Sequence, residues 1–445
     1  MLRFFIVLQL SKSSCSKRQW EEDGTLASSH RLMSSPKLEA LKKMAEEALA
    51  SVNLLEEELA SLDEASQDTS KHNSDHAEGA PYYKSLHAIR EEFRAQVSRF
   101  RPLRHLNRDL IQHTSAWRAR GMEDIPHDFD ENYYPAHCFW RKSATELACL
   151  PSFFVLGTPK SGTTALWDNI VAHPDVIKVR KEPHWWTLGS GRIVDKYINS
   201  FYSSASSLIR SENRTQGNGR HLTFGDASAS TFWYLRSQHY SRRPFVPELL
   251  HSVVPSARLI VLFREPSSRL VSEFGYFSTN PAGIQPETFG KAVDNSLRSY
   301  HSCVDENPTS SWFCPFGSLK GGKPETGKVV DLRLGIGIYV AALTIWRGIW
   351  GEDPLLVLRS EDLACSTQST MDSVYRHIGV RVTWDGKSTS KRTPVNARGH
   401  NRKFLPSTET IRQLKHFYRP FNRQLAALMD DPRFLWEDNP CNTTS

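Results

Sequence analysis

Residues 36–66 place Leu38, Leu41, Met44, Ala48, Val52, Leu55 and Leu59 at steps of three and four with Glu and Lys between them, which predicts an amphipathic helix. Such a helix reads either as a coiled-coil stalk that would pair two copies of the chain or as a helix lying on the main domain. A polar Ser/Asp/His-rich stretch over 67–79 reads as a linker, and 80–149 is mixed, with Arg-rich helical character over 87–101. The pattern changes at Leu150. FFVLG (153–157) is a short apolar run of the kind a buried strand shows, followed by a glycine turn and a helical stretch ending before Pro174. ARLIVLF (257–263) repeats the arrangement and leads into REPSSRLVSEFGYF, and LLVLRSEDL (355–363) supplies a third strand and turn. Strands alternating with helices predict an α/β fold, a mostly parallel central sheet with helices on both faces.

The stretch GTPKSGTT, Gly157 to Thr164, gives that fold its chemistry. Its two glycines have the spacing of a nucleotide-binding P-loop, but Thr163 stands where the lysine belongs and Lys160 lies inside the loop. Backbone N–H groups of a glycine turn at a helix N-terminus cradle an anion, and Ser161, Thr163 and Thr164 add hydroxyls. A triphosphate with its magnesium would be poorly served, whereas Lys160 suits the bridging or leaving oxygen of a shorter phosphate group. The expected architecture is a P-loop NTPase-like three-layer sandwich preceded by a helical stalk. Arg264, just past a strand end, and Ser272, within the next helix, form a second candidate anion site at the carboxyl edge of the sheet.

Composition adds modest constraints. The chain is 39% hydrophobic and 24% charged, an ordinary balance for a folded protein, and its formal charge of +7 weakly favours anionic partners. Seven cysteines are an odd number, so at least one is unpaired or pairs with another chain. Cys303 and Cys314 flank a polar, Pro-containing stretch that suits a loop-closing disulfide, and no cysteine shows metal-ligand spacing. Sequons at Asn213 and Asn442 support a secretory location modestly. The apolar run Phe4 to Leu8 is too short for a membrane span of about 20 residues and sits at the low edge of a signal segment, which leaves membrane anchoring open. The expected organisation is an N-terminal segment (1–35), a helical stalk and linker (36–149), the main α/β domain (150–437) and a tail (438–445).

FFVLGTPKSGTTALW followed by LIVLFREPSSRLVSEF resembles the two phosphosulfate-binding motifs of sulfotransferases, which use 3′-phosphoadenosine 5′-phosphosulfate (PAPS) as sulfate donor. KEPHWWT (181–187), DASASTFWY (226–234), the turn Gly337 to Tyr339 and FYRPFNRQLAALM (417–429) resemble Golgi carbohydrate sulfotransferases. The resemblance implies a Golgi enzyme moving a sulfuryl group to a glycan hydroxyl, without metal and with no nucleic-acid partner. By position, Lys160, Ser161, Gly162, Thr163 and Thr164 would hold the 5′-phosphosulfate, and Arg264 and Ser272 the 3′-phosphate. Arg398 and Gly399 are candidates for a late cofactor-contacting loop, Glu182 matches the general base, and a Cys303–Cys314 disulfide is implied. His184 would orient the base or donate to sulfate, or be structural. Trp185 and Trp186 would stack on sugar rings or pack in the core, and Asp226 and Ser228 would contact the acceptor or hold a strand end. Ala227 stands where heparan-type sulfotransferases carry a lysine, which shifts the expected acceptor towards a chondroitin, dermatan or galactan type. A small-molecule kinase and an inert glycan-binding relative are the competing readings; the missing lysine at Thr163 opposes the first, and retention of Lys160 and Glu182 the second.

Overall fold

The computed structural model describes residues 121–437 apart from 123–124, 127, 142–145, 188–193, 216–221, 236–244, 278–284, 307–313, 318–331 and 383–404. The stalk helix, Asn442, Arg398 and Gly399 therefore lie outside the described residues. Two short strands open the fold, β1 (His137–Trp140) and β2 (Leu147–Leu150), paired antiparallel so that Cys138 faces Cys149, and these two form a disulfide. Next come β3 (Phe153–Gly157) and α1 (Thr163–Ile170), then α2 (Val194–Phe201), α3 (Ser203–Thr215) and the two-residue β4 (Gly225–Asp226). The chain continues through α4 (Val246–Val253), β5 (Arg258–Phe263), α5 (Pro266–Phe277), α6 (Pro286–Glu306) and the single turn α7 (Cys314–Gly317). It ends with α8 (Tyr339–Trp350), β6 (Leu355–Arg359), α9 (Ser360–Cys365), α10 (Thr367–His377) and α11 (Thr408–Met429).

The central sheet has the order β4-β3-β5-β6 and every pair in it is parallel, as the sequence pattern predicts. β3 and β5 are buried almost throughout, which matches their unbroken apolar runs: a parallel strand is covered on both faces. One cover is α8, in which all residues but Ala341 are buried; a helix apolar all round belongs inside a core. Because adjacent parallel strands point the same way, the loops leaving β3 and β5 emerge side by side at one edge, where open α/β sheets bind ligands.

The β1–β2 hairpin, unassigned by the sequence pattern, is part of this packing: the Cys149 N–H donates to Ser206 Oγ on α3 at 3.1 Å, and His137 Nε2 lies 2.9 Å from Ser256 Oγ. The expected Cys303–Cys314 disulfide is present and ties the end of α6 to α7. Cys365 is disulfide-bonded as well. Asn213 falls in the last turn of α3, its side chain outside the described residues. No helix among the described residues is long and apolar enough to cross a membrane.

Candidate active site

The glycine loop is braced from beneath. The Thr158 N–H donates to the Leu262 carbonyl on β5 at 2.9 Å, and Thr158 Oγ1 donates to the same oxygen at 3.1 Å. With that proton committed, the fully buried Ser161 hydroxyl donates to Thr158 Oγ1 at 2.6 Å. The Ser161 hydroxyl is thus engaged within the loop, which it braces. Two glycines are required by geometry. At Gly157 (φ 148°) a Cβ would stand 2.7 Å from the Ala229 carbonyl oxygen, and Gly162 (φ 93°) turns the chain into α1. The first-turn N–H groups of α1, from Thr163 onward, have no acceptor within the helix and point out of its N-terminus.

Lys160 sits in the left-handed region, φ 68°, and is held at both ends. Its carbonyl accepts from Arg264 Nη1 at 3.2 Å, and its ammonium lies 3.7 Å from the ring centroid of Tyr276 on α5. Burial, then the neighbouring Arg264 charge, push the Lys160 pKa down, opposed by the carboxylates of Glu273 and Glu182. Arg264 is fixed in turn by Tyr339, whose hydroxyl donates to the Arg264 carbonyl at 2.7 Å and whose ring stacks on Phe263. Glu265 accepts from the N–H groups of Ser267 (3.0 Å) and Ser268 (2.7 Å), capping α5, the helix that carries Ser272 and Tyr276. The Glu265 N–H donates to Glu361 Oε1 at 2.9 Å. Within α5, the fully buried Arg269 pairs with Glu273 one turn on, which also takes Arg333 Nε from the loop before α8. No sequence pattern marks this buried triad, since its members are ordinary helix and loop residues.

The third component is the 181–187 segment. The Glu182 N–H donates to the Ala227 carbonyl at 3.2 Å, which docks the segment on the loop after β4. Glu182 (φ 61°) and His184 (φ 51°) are also left-handed. Among the described residues five non-glycine positions have positive φ, and three of them are Lys160, Glu182 and His184. Each costs about 1–3 kcal/mol, a strain that persists only where the surrounding structure dictates it and that concentrates at functional sites. The Glu182 side chain is 42% exposed, paired with Lys181 through Oε1 and with His184 Nε2 through Oε2 at 3.6 Å. The hydrogen bond from His184, followed by that from Lys181, draws its pKa down to about 2 against the opposing effect of burial. Glu182 lies within electrostatic reach of the Lys160 ammonium, whose pKa it raises.

Of the two roles open to Trp185, Trp186, Asp226 and Ser228, an acceptor contact or a structural one, the packing favours the structural. Trp185 and Trp186 are each 1% exposed; Trp185 stacks on Tyr197 at 4.7 Å and Trp186 Nε1 donates to the Tyr197 hydroxyl at 3.2 Å. Neither indole has a face open to a sugar. Asp226 is buried beneath them, accepting from the hydroxyls of Tyr197 (2.6 Å), Tyr202 (3.2 Å) and Ser228 (2.6 Å). Burial raises its pKa against those three bonds. Ser228 is buried too, and its oxygen accepts from the His184 N–H at 2.9 Å. Both residues anchor the segment that presents Glu182. Ser230 and Thr187, which also touch His184, were missed: two hydroxyls far apart in sequence carry no pattern.

A family model described as "Sulfotransferase domain" matches residues 150–396, more than half of the chain. The chain is 30% identical over 322 residues to carbohydrate sulfotransferase 15 of Homo sapiens, an alignment covering 65% of this chain and 55% of that protein. It is 21% identical over 305 residues to the bifunctional heparan sulfate N-deacetylase/N-sulfotransferase 4 of Mus musculus, covering 63% of this chain and 30% of that one. The chain thus spans about half the length, or less, of these curated relatives. A solved sulfotransferase from Alicyclobacillus acidocaldarius aligns with a TM-score of 0.42 and 16% identity, over 63% of this chain and 96% of that one. On the match over 150–396, which takes in both loops, Glu182 and His184, the chain belongs to the sulfotransferase domain family.

Proposed function

We propose that the protein transfers a sulfuryl group from PAPS to a hydroxyl of a glycan, with a chondroitin- or dermatan-type acceptor favoured. The observation that carries this reading is the convergence of Lys160, Glu182 and His184, all three in strained left-handed conformations, at the edge where Arg264 joins the two anion loops. The donor set fits PAPS: a cradle of N–H groups whose first glycine leaves no room for a Cβ, one buried-stem ammonium and a separate guanidinium on the adjoining strand end. Lys160, Gly162, Thr163 and Thr164 would hold the phosphosulfate end, and Arg264 with Ser272 the 3′-phosphate. When bound, the donor supplies a sulfuryl group on a good phosphate leaving group.

The chain's own residues do the rest. A sugar hydroxyl is a weak nucleophile, and Glu182, ionised at any physiological pH, accepts its proton. Lys160 places positive charge at the leaving oxygen, where negative charge grows during transfer, and the fixed N–H groups add to that stabilisation without reorganising. His184 and Lys181 hold the two oxygens of Glu182 and so fix the orientation of the carboxylate. The disulfides Cys138–Cys149 and Cys303–Cys314 support work in an oxidising compartment, consistent with the Golgi lumen.

The test is incubation with labelled PAPS and a panel of chondroitin, dermatan, heparan and galactan chains, followed by disaccharide analysis. Label in a chondroitin or dermatan disaccharide supports the whole reading. Label only in heparan overturns the acceptor preference, and no label in any glycan, with the protein folded, overturns the activity.

A further inference from the structure

Behind His184 lies a short chain of buried hydroxyls with no place in the mechanism so far. His184 Nδ1 is 2.8 Å from Ser230 Oγ, and Ser230 Oγ is 2.7 Å from Thr187 Oγ1. Thr187 Oγ1 reaches the His184 carbonyl oxygen at 3.5 Å, closing the chain back on the residue where it began. Thr187 is fully buried and Ser230 nearly so. The other ring nitrogen, Nε2, faces Glu182, the reading of which as base this inference rests on.

The proton count in this chain has two consistent solutions. For neutral His184, the Glu182 carboxylate favours a proton on Nε2, because a lone pair there would face negative charge. Nδ1 then needs a donor, which Ser230 supplies, and Thr187 donates to Ser230. For the charged ring, Nδ1–H donates to Ser230, the Ser230 hydroxyl turns to Thr187, and Thr187 donates to the His184 carbonyl. Both hydroxyls rotate and no heavy atom moves. In each solution Nε2–H points at Glu182.

We propose that Ser230, backed by Thr187, is a positioning residue for sulfuryl transfer: the pair is a reversible hydroxyl relay that keeps the Nε2–H of His184 directed at Glu182 in either charge state of the ring. The backbone supports the same orientation, since Ser228 takes the His184 N–H and is itself tied to Asp226. The charged groups around this ring are Glu182, Lys181 through its pairing with Glu182, and Asp226.

The experiment compares wild type with Ser230→Ala, Thr187→Val and Thr187→Ser, using ¹⁵N-histidine spectra of the free protein and steady-state transfer from PAPS. His184 signals are assigned by their loss in His184→Gln. Wild type is expected to show neutral His184 protonated on Nε2. Ser230→Ala should mix the two tautomers and lower kcat about tenfold, the scale of one lost buried hydrogen bond, with KM for PAPS unchanged. Thr187→Val, of nearly the same shape, should lower kcat less, and Thr187→Ser should restore it. Unchanged His184 spectra in both Ser230→Ala and Thr187→Val overturn the proposal, as does a wild-type ring protonated on Nδ1. The spectra need no turnover, so this outcome is separate from failure of Glu182 as base, which would appear as undiminished transfer by Glu182→Gln.

Discussion

Arg264 donates through Nη1 to the carbonyl oxygen of Lys160 at 3.2 Å, so the arginine of one anion loop holds the backbone of the other. The contact explains how Lys160 stays left-handed, and it makes the two loops a single mechanical unit. Arg264→Ala therefore removes a ligand for the 3′-phosphate and a brace for the first loop together. KM for PAPS should rise about 10- to 100-fold, the scale of a lost charge-assisted hydrogen bond. Thermal stabilisation by adenosine 3′,5′-bisphosphate should fall in parallel. Arg264→Lys should recover little, because an ammonium cannot fork between a phosphate and a carbonyl.

Glu182→Gln should cost about 10²–10⁴ in kcat, the range for removing a general base, with stabilisation by the bisphosphate retained. Radiolabel transfer and a thermal-shift assay separate the two effects. The pH dependence has a definite sign. A carboxyl whose folded pKa is lowered to about 2 contributes stability that is fully present above the ordinary glutamate pKa and is lost as pH falls through the folded value. The difference in melting temperature between wild type and Glu182→Gln should accordingly narrow from about pH 5 downward, and hold constant from there to neutrality.

Tyr276 supports the Lys160 ammonium from 3.7 Å while remaining 59% exposed. An exposed cation–π contact is worth about 0.5–1 kcal/mol, so Tyr276→Ala should lower kcat/KM roughly two- to fivefold. Tyr276→Phe keeps the ring face and should stay within twofold of wild type. Equal losses in the two variants would assign the effect to the hydroxyl instead.

The Cys138–Cys149 bridge closes a loop across β1 and β2, with a sequence separation of 11. A closed loop of this size stabilises a fold by about 2–3 kcal/mol. The double variant Cys138→Ser, Cys149→Ser should lose that amount in denaturant unfolding, with transfer activity preserved at low temperature. The hairpin packs on α3 and precedes β3, whereas the two anion loops follow β3 and β5.

Apolar runs and glycine spacing made β3, β5, β6 and the anion loop readable before any coordinates, because a buried parallel strand leaves an unbroken apolar run and a phosphate turn leaves its glycines. Lys160, Glu182 and Arg264 stand out by their positions in the motifs, and their roles rest on the resemblance those motifs carry. The side a residue faces was not: Trp185 and Trp186 have the composition of a sugar platform, and only tertiary packing puts Tyr197 against them. Asp226 carries the same ambiguity, since a strand-end carboxylate reads alike whether water or three hydroxyls surround it. The β1–β2 hairpin escaped because four-residue strands such as HCFW and LACL show too few alternations to register. The relay at Ser230 joins residues 43 apart in the chain and exists only after folding.

The left-handed backbone at Lys160, Glu182 and His184 also bears on how this enzyme would respond to directed evolution. Glycine is the residue most at ease at such φ values, so replacement by glycine at any of these three places would relieve backbone strain while removing the side chain. A library screened for heat resistance alone would be drawn towards dead variants there. Only a screen that also scores sulfated product would keep the strained residues in place.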